Sequence, residues 1–316
     1  MEKTDPENGN SQVEIDSANN KSAVEASNLS MARAIAIASS LDNRLLAAQA
    51  LICGIDGNGS LPPHMKILLT ECPAGGIILF RYNLDSSNEN IRNLLEETAS
   101  LIYDESNLLP IIAVDHEGGS VNRFPRGTAS LPPAISYWED CNAYGEATDE
   151  ALKDALVKIE TDSYKAGLEM NKLGVNFNIA PVAEYLTTEN CGFLGSRSYG
   201  PDPAFVTDAA LSFIRGMERA GVTCVIKHFP GSAGPDPHRF PSVLKGGKTD
   251  LDNLVFPFAA LIKGDARAVM AAHTSVPALD SKIASLSNVI MRDWLREELG
   301  FQGLIISDDF SMFAAG

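Results

Sequence analysis

From about residue 51 the chain alternates short, unbroken apolar runs with longer amphipathic stretches. The runs are Leu51–Asp56, Gly76–Arg81, Pro110–Asp115, Val175–Pro181, Val222–Phe229, Ala268–His273 and Leu304–Asp308. Their cores read Ile-Ile-Ala-Val or Leu-Ile-Ile-Ser rather than apolar–polar–apolar, the pattern of strands covered on both faces. Helical periodicity fills the intervals at Asn88–Tyr103, Ala151–Leu173, Pro203–Ala220, Leu251–Lys263 and Asn288–Leu299. Four of these stretches stop on Gly174, Gly221, Gly264 and Gly300, where a left-handed helix cap is expected. Upstream, Met31–Ala50 is Ala/Leu/Ile-rich and predicts a helix.

Strands alternating with helices predict a parallel sheet. An open doubly wound sheet would carry a GxGxxG turn after the first strand, and Gly54, Gly57 and Gly59 have the wrong spacing for one. The expected fold is therefore a TIM-type (β/α)8 barrel over residues 31–316, with seven strands in the sequence and the eighth β/α unit missing. Residues 1–30 hold six acidic residues, two lysines and almost no large apolar side chain, which predicts a disordered acidic tail.

Composition narrows the function. The net charge of −16 leaves no basic footprint for nucleic acid or an anionic membrane. No apolar run approaches the roughly 18 residues of a membrane span, and the polar N-terminus lacks the order of a signal peptide. The five cysteines are scattered without a CxxC pair. Reduced thiols and a cytoplasmic location are expected. The five histidines show neither HxH nor HExxH spacing, so no metal and no cofactor is expected.

A barrel keeps its chemistry at the carboxyl ends of its strands. The third strand here runs into Asp115-His116-Glu117-Gly118-Gly119 and the fifth into Lys227-His228-Phe229-Pro230-Gly231. The sixth ends at His273 and the seventh at Ser307-Asp308-Asp309. One such group can be a helix cap; four strands agreeing point to a site. Lys227, inside an apolar strand, requires a buried partner. Glu117 and His273 are assigned structural roles, as is Asp309, whose side chain should leave the opposite face of the strand from Asp308.

These residues carry a resemblance. Ile-Ile-Ala-Val-Asp-His-Glu-Gly-Gly-Ser-Val-Asn-Arg-Phe (111–124), Lys-His-Phe-Pro-Gly (227–231) and Leu-Arg-Glu-Glu-Leu-Gly-Phe-Gln-Gly-Leu-Ile-Ile-Ser-Asp-Asp (295–309) resemble glycoside hydrolase family 3. Gly-Gly-Ile-Ile-Leu-Phe (75–80), Asn-Ile-Ala-Pro-Val (178–182) and Arg-Ser-Tyr-Gly (197–200) match in the same order, from about residue 45 to the end. Within the family the chain resembles bacterial β-N-acetylglucosaminidases that recycle peptidoglycan sugars. The resemblance implies that Asp308 is the nucleophile of a retaining hydrolase and that Asp236-Pro237-His238 supplies the acid/base. It also implies that Asp115, Arg123, Arg197, Lys227 and His228 surround a terminal N-acetylglucosamine. The chain departs from the family at Ser232-Ala233-Gly234-Pro235, reaching Asp236 sooner than usual. A β-glucosidase, a β-N-acetylglucosaminide phosphorylase and a non-catalytic sugar-binding remnant stand as the alternatives, and the expected partner is a small carbohydrate.

Overall fold

The computed structural model describes residues 31–315 apart from 144 and 146; the expected disordered tail lies outside the described residues. The described residues form nine strands: β1 Ile52–Gly54, β2 Gly76–Leu79, β3 Ile111–Val114, β4 Phe177–Asn178, β5 Thr223–Phe229, β6 Ser242–Val243, β7 Ala268–Ala271, β8 Thr274–Ser275 and β9 Leu304–Ser307. Seven make one parallel sheet in the order β1-β2-β3-β4-β5-β7-β9, and β6 pairs with β8 apart from it. Neighbouring strands are joined by helices, the connection that parallel pairing requires. The sheet is curled, with β1 and β9 at its two ends.

Side-chain alternation explains why the runs were uniformly apolar. Ala113, Phe177, Val225, Ala268 and Met270 pack together with Ile78, Ile111 and Ile306 on the inner face. Their neighbours Ile77, Leu79, Ile112, Val114, Ile226 and Val269 join the much larger cluster under the helices. Both faces of the central strands are apolar, and the polar residues of the sheet fall toward the strand ends, as at Asn178, Lys227, His228 and Ser307. Continuing the inner row by two residues gives Asp115 after Ala113, Lys227 after Val225 and Asp308 after Ile306.

Several boundaries differ from the expectation. The β4 run pairs in regular register over Phe177–Asn178 alone; beyond it the chain stays beside β5 through single contacts, Val225 N–H to Ala180 O at 3.1 Å and Ala183 N–H to Lys227 O at 2.7 Å. The stretch 251–263 is two helices, Lys248–Leu254 and Phe256–Lys263, since Pro257 suits only the first turn of a helix. Residues 31–48 likewise divide, with Asp42 accepting the Leu45 N–H to start Asn43–Ala48. Gly174, Gly221 and Gly300 adopt positive φ as expected, but Gly264 sits at φ −88° and the left-handed residue is Asp265 at +63°. Helices at Pro63–Glu71 and Ala134–Asn142 were not foreseen, and Val289–Glu298 is wound as a π-helix.

Candidate active site

The strand ends open into a cavity of about 800 Å³. Asp115, Arg123, Arg197, Lys227, His228, His238 and Asp308 all line it. Of the eight residues singled out in the sequence, only Asp236 does not, and it reaches the cavity through His238.

Ionic pairing organises one wall. Lys227 is 2% exposed and donates to Asp115 Oδ1 at 2.5 Å, while its ammonium also lies 2.5 Å from Glu117 Oε1. Glu117 in turn accepts Arg197 Nε–H and Nη2–H, both at 2.8 Å, a bidentate fork. Burial alone would raise the Glu117 pKa. Lys227 and Arg197 overcome that and hold its carboxyl well below the usual range, while burial of Arg197 is likewise outweighed by Glu117. Arg123 donates to Asp115 Oδ2 at 3.0 Å. Its buried Nε has no hydrogen-bond partner among the described residues. Thus Glu117 does not line the cavity; it fixes two cations that do.

The turn after β3 makes this possible. Gly118 and Gly119 have φ of +94° and +52°, and a Cβ on either would fall within 3 Å of the 131–133 backbone or side chains. Only glycine admits both the conformation and the contact. His116, fully buried, accepts Arg123 N–H at Nδ1 and donates from Nε2 to Ala129 O, so it shapes this loop rather than facing the cavity.

Glu184 is the residue that the sequence reading missed. It is 1% exposed, accepts from His228 Nδ1 at 2.7 Å and takes the Ser232 backbone N–H at 2.5 Å. His228 Nε2 then accepts Arg197 Nη2–H at 3.2 Å. Glu184 stands three residues beyond Pro181, past the end of the fourth apolar run and outside the clusters at the ends of the third, fifth, sixth and seventh. Phe193 was also missed: it lies under the Arg197 guanidinium at 4.9 Å and beside His228 and His238.

The opposite wall is different in kind. His238 Nδ1 meets Asp236 Oδ1 at 2.7 Å, which leaves Nε2 as the free ring nitrogen. The two side chains are 61% and 44% exposed. Slight burial raises the Asp236 pKa, but hydrogen bonds from the His238 backbone and ring dominate and lower it. The segment beyond Asp308 pairs with this loop, Phe313 N–H to His238 O at 3.3 Å and Ala314 N–H to Pro237 O at 3.2 Å. Asp308 is half-buried, its N–H bonds Ala271 O of β7, and Asp309 folds back to accept the Ser311 N–H. His273 is buried between Ser285 and the Asp309 carbonyl, bracing the turn from behind. Among the described residues, no group of three His, Cys, Asp or Glu side chains is placed to hold a metal ion.

Comparison with known proteins converges on one family. Residues 61–316 match the glycosyl hydrolase family 3 N-terminal domain. A beta-hexosaminidase of Methylococcus capsulatus is 37% identical over 248 residues, covering 77% of this chain and 68% of that protein. Among solved structures, a family 3 beta-N-acetylglucosaminidase from Paenibacillus superposes with a TM-score of 0.77 at 29% identity. It covers 87% of this chain, which spans half of that enzyme's length. NagZ from Neisseria gonorrhoeae, in complex with N-trifluoroacetyl-D-glucosamine, gives 0.74 at 28% identity, with 82% of this chain and 74% of that one covered. The inner-row carboxylates and the Lys227 network thus stand on a known scaffold, and the chain belongs to glycosyl hydrolase family 3, a family of glycosidases.

Proposed function

We propose that this protein is a retaining β-N-acetylhexosaminidase that removes terminal, non-reducing β-linked N-acetylglucosamine, with peptidoglycan fragments as its substrates. The observation carrying this reading is the shared cavity, in which Asp308 and the His238–Asp236 pair stand with a fixed set of sugar-binding cations and Asp115. The hexosaminidase names of the relatives supply the sugar class.

In the proposed reaction Asp308 attacks the anomeric carbon as the glycosidic C–O bond breaks, giving a glycosyl-enzyme. Protonated His238 donates its Nε2 proton to the leaving oxygen. Neutral His238 then takes a proton from the water that attacks the anomeric carbon, releasing the sugar and the Asp308 carboxylate. Asp236 holds the ring and stabilises its cationic form. Asp115 accepts from adjacent sugar hydroxyls, and Arg123, Arg197, Lys227 and His228 line the same cavity around it. No cofactor enters these steps.

The complete barrel we propose spans residues 31–316 plus an eighth β/α unit between β9 and β1. Leu304 and Leu51, on those two edges, are 42% and 49% exposed, and the cavity reaches both edges. We also propose a cytoplasmic location, supported by five unpaired thiols.

The test is trapping with an aryl N-acetylglucosaminide analogue fluorinated on the ring, followed by peptide mass spectrometry. The reading predicts one glycosyl adduct, on the peptide containing Asp308. Turnover that releases the inverted anomer, or an adduct elsewhere, overturns it.

A further inference from the structure

A second cavity, of about 530 Å³, shares no lining residue with the first. Its walls are the start of helix Asn88–Ser106, the segment Arg126–Thr128 and the last turn of helix Asp149–Leu173. Three of the eight residues lining it are cations, Arg92, Arg126 and Lys172, against one carboxylate, Glu169. That carboxylate already accepts the Ala129 N–H. Arg126 has a loose pairing with Asp85 at 3.8 Å, and neither Arg92 nor Lys172 has a carboxylate within 4.0 Å among the described residues. In a chain of net charge −16 the recess is thus a local excess of positive charge, with three exposed cations around one carboxylate.

The recess is preformed. Gly127 and Ala129 take φ of +80° and +54°, bending the segment so that Arg126 and Thr128 face the cavity. The bend is fixed on one side by Glu169 and on the other by Thr128 Oγ1 donating to Asn88 Oδ1 at 3.4 Å. The backbone of the 126–129 segment is therefore set before binding.

We propose that this recess is a binding site for a phosphate group, free or on a small molecule, held by Arg92, Arg126 and Lys172. It is separate from the sugar cavity and does not depend on the activity proposed above.

Calorimetric titration of the full chain with inorganic phosphate and with glucose 6-phosphate tests it. The expected result is saturable binding at one site that weakens with added salt. Arg92→Gln and Lys172→Gln should each weaken it about tenfold, the scale of one charge-assisted hydrogen bond. Saturating N-acetylglucosamine should leave it unchanged. Tighter binding of the ester identifies a phosphorylated metabolite as the ligand; equal binding identifies free phosphate. The proposal is overturned if neither compound binds, if both variants bind as the parent does, or if N-acetylglucosamine displaces the phosphate, which would place it on Lys227 and Arg197.

Discussion

The two walls of the candidate active site solve opposite problems. Around Lys227 and Glu117, exposed by 2% and 3%, every charge has a partner fixed by strand ends and a two-glycine turn. Around His238 and Asp236, most of the surface meets solvent and the pair hangs on a loop. Recognising a sugar rewards groups locked before it arrives, because nothing then has to be ordered on binding. Moving a proton out and back rewards a group with one free nitrogen and room to adjust. The comparison teaches that stability and proton transfer are separable here: changes in the buried wall should appear first in folding, and changes in the loop first in turnover.

The largest expected effect is on the loop side. His238→Ala should lower kcat by about 10²–10⁴, the usual weight of a general acid/base. Thermal unfolding should shift by no more than about 0.5 kcal/mol, since the ring is mostly exposed. A matching loss of stability would break the division between the walls. On the buried side, Lys227→Met leaves Asp115 and Glu117 without their shared cation and should cost about 3–5 kcal/mol in denaturant unfolding. Unchanged stability would show that the network is not a folding element. Glu184→Gln weakens the acceptor for His228 and Ser232 and should cost roughly 1–3 kcal/mol, together with a rise in KM exceeding any fall in kcat.

A smaller, sharper test uses acid. The folded pKa of Glu117 lies below its unfolded value. Its contribution is therefore fully present above the unfolded Glu value of about 4.3 and is lost as pH falls from there toward the folded value. Glu117→Gln should lower stability at neutral pH and flatten the decline below about pH 4.3, read from unfolding midpoints across pH. A variant whose acid limb parallels the parent's would contradict the pairing.

How far the sequence disclosed all this depends on the range of the interactions. Strand-end placement is local: a run such as Ile-Ile-Ala-Val already ends on Asp115, the last run ends on Asp308, and Lys227 stands inside its own apolar run. Gly174, Gly221 and Gly300 were legible as caps for the same reason. Glu184 was not, because its partners His228 and Ser232 lie more than 40 positions along the chain and its own strand pairs over only two residues. Gly264 misled because Asp265 can also take the left-handed conformation, leaving the glycine an ordinary one. The pairing of Phe313 and Ala314 with the His238 loop is backbone to backbone and carries no side-chain signature. Glu117 was read as structural; its contacts are with Lys227 and Arg197, two cations of the site, and they join segments 80 or more positions apart.

The most direct test is a set of initial rates with folded protein on aryl β-N-acetylglucosaminide and aryl β-glucoside, for the parent and for Asp308→Asn. The account predicts preference for the acetylated sugar, with turnover falling by about 10³-fold or more in the variant while its unfolding midpoint is retained. Equal rates in the parent and the variant, or a parent that prefers the glucoside, would contradict it.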